Sequence, residues 1–257
     1  DIDAYQSQLE FKDNLIVSAE TFLLWVIEGD EALKAKIPFD QIDDNVLVVK
    51  DMQPYRTRKV RILNGAHTTM VPFSLLYGNE TVKETVDNEF TGKFVRDAVF
   101  NEINPTLDLS EEELNEFAAA VFDRFRNPFI KHLLSSIALN TVSKFKVRVL
   151  PSLLAFEQAY NRLPENLTFA LACLIRFYKG TWKGKALPIK DDAAVVAFFD
   201  EVWKEDNYAA VSKAVLSNST FWDQDLTKIE GLEERITTAL ALIEENGVEE
   251  AYKKYTV

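Results

Sequence analysis

From Pro54 onward, apolar residues recur along the chain at intervals of three or four, which is the spacing of one buried helix face. The pattern is clearest at residues 81–101, 110–125 and 232–246. Weaker forms of it, begun or ended by Pro and Gly, predict further helices at 128–142, 151–160, 164–178, 191–204, 207–217 and 248–255. We therefore predict an all-helical domain over residues 51–257, with the almost entirely apolar helix 164–178 at its centre.

Residues 1–50 have a different pattern and form a predicted junction segment. Two runs rich in β-branched and aromatic residues, 15–27 and 45–50, are typical of strands. A helical turn at 30–36, closed by Pro38, is expected between them. This is the only section where we expect a sheet, so the predicted fold is mainly α with a short α/β section at its N-terminal end.

Residues 55–78 are predicted to form one helix that carries three polar side chains on one side. At ~100° per residue, Asn64 lies ~140° and His67 ~80° around the axis from Lys59. Pro72 has no N–H to donate to the preceding turn. We therefore expect the helix to kink or break just after His67.

Gly65 leaves a gap in the side-chain surface between Asn64 and His67, where another backbone or a ligand can approach. A proton-transfer group beside two neutral hydrogen-bonding groups fits the wall of an active site. Spacing alone equally permits a solvated basic face with a structural histidine, because three further cations lie nearby: Arg56, Arg58 and Arg61.

Composition limits the possible partners. The net charge of −12 argues against nucleic acid and anionic membranes as partners. The single cysteine, Cys173, excludes an internal disulfide and suits a cytoplasmic protein. The chain has no charged-then-apolar leader and no run approaching ~18 apolar residues, so we expect neither a signal peptide nor a membrane span.

The residues that common cofactor sites require are scarce. Two histidines and one cysteine form no cluster with zinc-site spacing, so a metal is not expected. None of the eight glycines belongs to a Gly-x-Gly-x-x-Gly run after a strand, and no β–α–β alternation is evident. A dinucleotide fingerprint is therefore missing from this sequence. The loop 179–190, rich in Gly, Lys and Pro, is the best candidate for a mobile segment or an internal boundary.

The run RKVRILNGAHT at 58–68 resembles the Lys-x4-Asn-x2-His signature of the long-chain mannitol dehydrogenase family, in its C-terminal substrate domain. That family consists of metal-independent, NAD-dependent polyol and sugar-acid oxidoreductases. The resemblance extends over nearly the whole chain, through SAETFLLWVIEG at 18–29, RFRNPFIKH at 124–132, SKFKVRVLPSLL at 143–154 and STFWDQDL at 219–226.

The resemblance assigns catalytic roles to three residues. It implies that Lys59 transfers the proton to or from the substrate oxygen. Asn64 then donates a hydrogen bond to the developing oxyanion, and His67 positions the substrate oxygen or a neighbouring hydroxyl.

It also implies substrate-binding residues. Lys144 is similar to a residue of the family's substrate pocket, and Arg148 is a second candidate for holding a substrate carboxylate, since arginine suits bidentate recognition. A solvent-facing cation on a helix explains Arg148 about as well. Asn127 and His132 match the family's RFxNPxIxH segment, although Asn127 fits a helix N-cap equally well.

NAD is the implied cofactor, and the family binds it in a domain N-terminal to the region seen here. The chain therefore resembles one domain of a longer enzyme, with that dinucleotide-binding domain as its partner and a sugar acid as its substrate. The threonine after His67 is most similar to the branch that interconverts tagaturonate and altronate in hexuronate catabolism. The alternatives are a fructuronate reductase, a mannitol-type polyol dehydrogenase, or a catalytically silent helical binding module.

Overall fold

The computed structural model describes residues 2–17, 22–205 and 207–256. The chain divides into two compact units, Asp1–Tyr55 and Arg56–Val257. The part of the predicted strand 15–27 and of the SAET run that falls on residues 18–21 lies outside the described residues.

The first unit is built on two short parallel strands. β1 (Trp25–Glu28) pairs with β2 (Val46–Val49), with Trp25 opposite Val46. The helix α2 (Glu31–Lys36) lies between them in sequence, and a short helix, α1 (Ile2–Gln6), precedes them. The expectation that the chain has no β–α–β unit is therefore wrong, because the two strands pair in parallel around a short helix, and the residues do not show in which direction two strands pair. The first strand also begins at Trp25 and not at residue 15, since the described residues 14–17 and 22–24 are not in a strand.

The second unit is a bundle of helices, as the periodicity predicts. After α3 (Gln53–Arg58), in which the chain passes from one unit to the other, its helices are α4 (Gly65–Tyr77), α5 (Val82–Asp87), α6 (Glu89–Asp97), α7 (Glu111–Phe125), α8 (Leu134–Ile137), α9 (Thr141–Arg148), α10 (Leu150–Tyr160), α11 (Glu165–Phe177), α12 (Ala193–Val202), α13 (Tyr208–Leu216), α14 (Ser219–Trp222), α15 (Leu232–Asn246) and α16 (Val248–Tyr255). Single 3₁₀ turns lie at Phe39–Gln41, in the first unit, and at Asn104–Thr106 and Leu226–Lys228.

Within the described ranges, two π-helical turns interrupt the regular helices. One, π1 (Lys59–Asn64), joins α3 to α4, and the other, π2 (Ala98–Ile103), follows α6. α4 continues through Pro72 without a break, so the predicted break just after His67 is wrong. Pro72 removes only one backbone bond, and nearly every residue of α4 is buried, so packing keeps the helix continuous.

The core is organised around α11, which is buried from Asn166 to Phe177 as its composition predicts. α4 packs against one side of it, and α15 against another. Phe73 stacks on Phe94 with 3.8 Å between ring centroids, and Phe169 meets both rings edge-on at 6.3 Å. This aromatic cluster fixes α4, which carries part of the candidate site, against the centre of the domain.

Two loops differ from their predictions. Residues 126–133 are not helical, so the helix expected at 128–142 is replaced by α8 and α9, separated by Asn140 in the left-handed conformation. The loop 179–190 contains a hairpin, β3 (Thr181–Trp182) with β4 (Lys185–Ala186), so sheet is not confined to the N-terminal section. Arg176 anchors this hairpin by donating to the Thr181 carbonyl at 3.0 Å and lying over the Trp182 ring at 4.7 Å.

Candidate active site

Lys59 and Asn64 are the first and last residues of π1, and this changes their relative direction. A π-helical hydrogen bond joins residues five apart, and the Gly65 N–H accordingly bonds to the Val60 carbonyl. In a regular α-helix, residues five apart are separated by ~140° around the axis. In the wider π-helical turn the angle between them is smaller. The Lys-x4-Asn spacing equals the π-helical hydrogen-bond spacing, so we expect π1 to bring the directions of Lys59 and Asn64 closer together than a regular helix would.

His67 follows on the first turn of α4 and is enclosed by other rings. Its ring centroid lies 4.5 Å from that of Phe125 and 5.1 Å from that of His132, which it meets edge-on. Its Nε2 atom is buried and has no hydrogen-bond partner among the described residues. Burial lowers the pKa of His67 to about 3, assisted by the positive charges of His132, Arg148, Arg124 and Lys59. The imidazole is therefore neutral at physiological pH.

The cations that act on His67 come from three separate elements. Lys59 is on π1, Arg124 is in the last turn of α7, and Arg148 ends α9. Residues that are far apart in sequence thus create a region of positive potential in a chain with a net charge of −12. Such a region can hold an anion. Arg124 was missed by sequence reasoning, although it opens the RFRNPFIKH segment, because no local pattern indicates its distance from His67.

Lys144 and Arg148 lie one turn apart on α9. The Lys144 ammonium donates to the Ile137 carbonyl at 2.9 Å, which aims the side chain back toward α8. Burial lowers the pKa of Lys144; the charge of Arg148 acts in the same direction, and that of Asp191 opposes it. Burial also lowers the pKa of the Arg148 guanidinium. Lys146 faces elsewhere and forms an ion pair with Asp223 at 3.0 Å.

The two candidates in the segment 126–133 have different environments. Asn127 accepts the N–H of Phe129 at 2.9 Å through its side-chain oxygen, so it caps a turn within the loop and not a helix. His132 is exposed, and its carbonyl accepts the N–H of Val82 at 3.0 Å. The structure therefore brings His132 to His67 but gives Asn127 a local role in the loop.

Two of the three arginines near Lys59 have side chains that are held by contacts within the fold. Arg58 is 7% exposed, pairs with Glu113 at 2.6 Å and lies 4.4 Å over the Phe117 ring. Arg61 donates to the Ser152 hydroxyl at 3.2 Å. The surface that carries these two arginines, at the end of α3 and in π1, is therefore packed and not a solvated basic face.

The described residues offer little that would hold a cofactor. No three His, Cys, Asp or Glu side chains are grouped there as a metal would require. Gly29 is the one glycine between β1 and α2, and the next residue, Asp30, caps α2 with its own carboxylate by accepting the Leu33 N–H at 2.9 Å. An acidic cap repels a pyrophosphate, so the turn between β1 and α2 does not fit a dinucleotide. In the same ranges, no helix is long and apolar enough to cross a bilayer.

Known proteins share both the sequence and the fold of this chain. Residues 51–244 match the family model described as the mannitol dehydrogenase C-terminal domain. The chain is 43% identical to an altronate oxidoreductase of Enterobacter sp. (strain 638), over 99% of this chain and 54% of that protein. It is 44% identical to one of Klebsiella pneumoniae (strain 342), over 98% of this chain and 53% of that protein. The chain thus spans about half the length of these relatives.

Two solved structures share the fold at low identity. A D-sorbitol dehydrogenase in substrate-free form superposes with a TM-score of 0.78 and 19% identity, over 98% of this chain and 50% of that one. The Pseudomonas fluorescens mannitol 2-dehydrogenase, in a ternary complex with NAD and D-mannitol, superposes with a TM-score of 0.74 and 21% identity, over 82% of this chain and 42% of that one. The mainly helical fold is thereby confirmed. On the family match and the identity to its relatives, this chain belongs to the mannitol dehydrogenase C-terminal domain family.

Proposed function

We propose that this chain is the substrate-binding half of an NAD-dependent oxidoreductase that interconverts tagaturonate and altronate. The observation that carries the proposal is that the charges of Arg148, Arg124 and Lys59, which lie on three separate elements, add to burial in lowering the pKa of His67. A proton-transfer group and a positive region then lie side by side, as the reduction of a keto sugar acid requires. The names of the relatives with 42–44% identity support this choice of substrate.

In the proposed reaction, Lys59 donates its proton to the substrate oxygen as the ketone becomes an alcohol, and it takes that proton back in the reverse direction. The side chain of Lys59 is exposed and therefore accessible to a substrate. Asn64 donates an amide hydrogen bond to the oxygen as negative charge develops. The hydride comes from the nicotinamide cofactor, which the described residues do not hold.

In the proposed site, a neutral group recognises a sugar hydroxyl and two cationic groups recognise the carboxylate. His67 is neutral, so it can exchange a hydrogen bond with a sugar hydroxyl without adding a charge. Arg148 and Lys144, one turn apart on α9, bind the carboxylate. Arg148 can do so with two parallel hydrogen bonds, whereas Lys144 provides a single point charge.

A dinucleotide-binding domain outside residues 1–257 completes the proposed enzyme. In support, the relatives are nearly twice as long as this chain. The first unit also exposes large apolar side chains that such a domain would cover: Leu15, Val17, Phe22, Leu23, Trp25, Phe39 and Ile42. The assembled enzyme is expected to be cytoplasmic.

The test is a substrate panel with NADH on the full-length protein, using tagaturonate, fructuronate and fructose. Tagaturonate should give the highest kcat/KM. Preference for fructuronate or for the neutral ketose would instead assign the protein to the fructuronate reductase or polyol dehydrogenase alternatives. Activity on none of the three would favour a silent binding module.

Calorimetric titration of residues 1–257 with NADH tests the cofactor assignment separately. Because the turn between β1 and α2 does not fit a dinucleotide, no saturable binding is expected. Micromolar binding would show that the cofactor site has been misplaced.

A further inference from the structure

Two contacts tie π1 to the junction between α9 and α10. Arg61 of π1 donates to the hydroxyl of Ser152, which is fully buried, at 3.2 Å. At the other end of π1, a Cβ added to Gly65 would lie 3.3 Å from the carbonyl oxygen of Arg148. The backbone at the end of α9 therefore lies directly against the first residue of α4, which only a residue without a side chain allows comfortably.

The π-helical turn needs such support because it is not the favoured state of an isolated segment. π-helical turns are rare, since most segments gain more from regular α-helical bonds. If residues 59–64 relaxed to an α-helix, Asn64 would turn back to ~140° from Lys59. Contacts that favour π1 over the regular helix thus also keep the two catalytic candidates on one side.

We infer that Arg61 and Gly65 are positioning residues that hold π1 against the α9–α10 junction and thereby set Lys59 and Asn64 relative to Arg148. Arg61 does so through its hydrogen bond to Ser152. Gly65 does so through the close approach of the Arg148 backbone, and its own N–H also closes π1 on the Val60 carbonyl. The functional part of this inference rests on the proposed function, whereas the structural part does not.

The structural part can be tested on residues 1–257 by amide hydrogen exchange. Arg61→Met removes the donor and keeps the chain length, so exchange within 59–65 should accelerate about tenfold, the effect of losing one hydrogen bond to a charged group. Arg61→Lys keeps a donor and should restore part of the protection. Unchanged exchange in Arg61→Met would overturn the inference, whatever the activity of the enzyme.

The functional part is tested in the full-length protein with matched glycine variants. Gly65→Ala should lower kcat for tagaturonate about tenfold, because a shift of a few tenths of an ångström spoils the alignment of reacting groups. Gly92→Ala is the control, since its Cβ would meet the Val86 carbonyl oxygen even more closely, at 2.4 Å, but within α5 and α6. Gly92→Ala should reduce stability and leave kcat of the folded enzyme unchanged.

The outcomes separate this inference from the proposed function. Equal kcat losses in Gly65→Ala and Gly92→Ala, or an unchanged kcat in Arg61→Met, would overturn the positioning role. A wild-type enzyme inactive on every hexuronate and ketose would overturn the proposed function, while the exchange measurement would still decide whether Arg61 and Gly65 hold π1.

Discussion

The imidazole rings of His67 and His132 meet edge-on, with 5.1 Å between their centroids. His67 is enclosed, whereas His132 is exposed. Burial lowers the pKa of both rings, and for His67 the charges of neighbouring cations add to this effect. The enclosed ring remains neutral across the physiological range because burial and neighbouring cations both oppose its protonation.

This difference predicts a pH-dependent stability that comes from His67. Its folded pKa, about 3, lies below the 6.5 of a free imidazole, so its contribution is complete above pH 6.5 and is lost as the pH falls. Between pH 7.5 and 5.5 the loss should be about 1 kcal/mol. Because Glu102 titrates with the opposite sign over the same pH range, this loss is measured as the difference in urea unfolding between the wild type and His67→Gln at the two pH values. His132→Gln is the control and should retain most of it; identical pH slopes in all three proteins would contradict the assignment.

Lys59 is predicted to carry the proton transfer. Lys59→Ala in the full-length enzyme should lower kcat by ~10²–10⁴, the usual contribution of a general acid–base group. Because the side chain is exposed, the melting temperature should not change. Lys213→Ala, another exposed lysine but on α13, serves as the control. Near wild-type kcat for Lys59→Ala across the pH range would remove Lys59 from the mechanism.

Arg148 and Lys144 are predicted to recognise the substrate carboxylate. Replacing either by Met should raise KM for tagaturonate roughly ten- to a hundredfold, because a hydrogen bond to a charged group is lost. KM for a neutral ketose of similar size should change much less. Lys146→Met is a matched control on the same helix, since Lys146 pairs with Asp223. Equal increases for both substrates would mean that these cations only support the pocket.

Some features of the fold depend only on local sequence patterns, and these could be predicted from the sequence. α15 begins and ends at the residues that the apolar period and its closing glycine indicate, Leu232 and Asn246. α11 was placed at the centre because nearly all of its residues are apolar, and it is buried there. The Lys-x4-Asn-x2-His motif likewise identified three candidates that are close in sequence. In each case the information lies within one or two helical turns.

The sequence could not show what depends on distant residues. π1 is held by a hydrogen bond between positions 91 apart, Arg61 and Ser152, so its local sequence predicts an ordinary helix. The position of Arg124 near His67 depends on how α7 packs, which no periodicity describes. The parallel pairing of β1 with β2 was missed for a similar reason, because a pair of four-residue strands is determined by contacts and not by alternation.

A last prediction concerns Glu102 in π2, which is 5% exposed. Its carboxylate caps the N-terminus of α11 by accepting three N–H bonds of 2.8 Å, two from Asn166 and one from Leu167. Burial outweighs these bonds and raises the pKa of Glu102 to about 7. Glu84, by contrast, caps α5 at the surface, and its hydrogen bonds to backbone N–H groups lower its pKa. The two capping carboxylates should therefore contribute to the stability of the fold with opposite pH dependences.

For Glu102 the folded pKa lies above the unfolded value of 4.5, so the folded protein binds a proton that the unfolded chain releases. Its contribution to the free energy of unfolding should fall by about 2 kcal/mol from pH 5.5 to pH 8, and Glu102→Gln should abolish that fall. For Glu84 the contribution to the free energy of unfolding is instead lost as the pH falls. The wild type should therefore lose stability toward pH 4.5, and Glu84→Gln should lack this part of the loss. Denaturant unfolding of the three proteins at pH 4.5, 5.5 and 8 measures both effects. If Glu102→Gln kept the wild-type fall between pH 5.5 and 8, the buried carboxylate would already be ionised at pH 5.5, and the three N–H bonds would outweigh its burial.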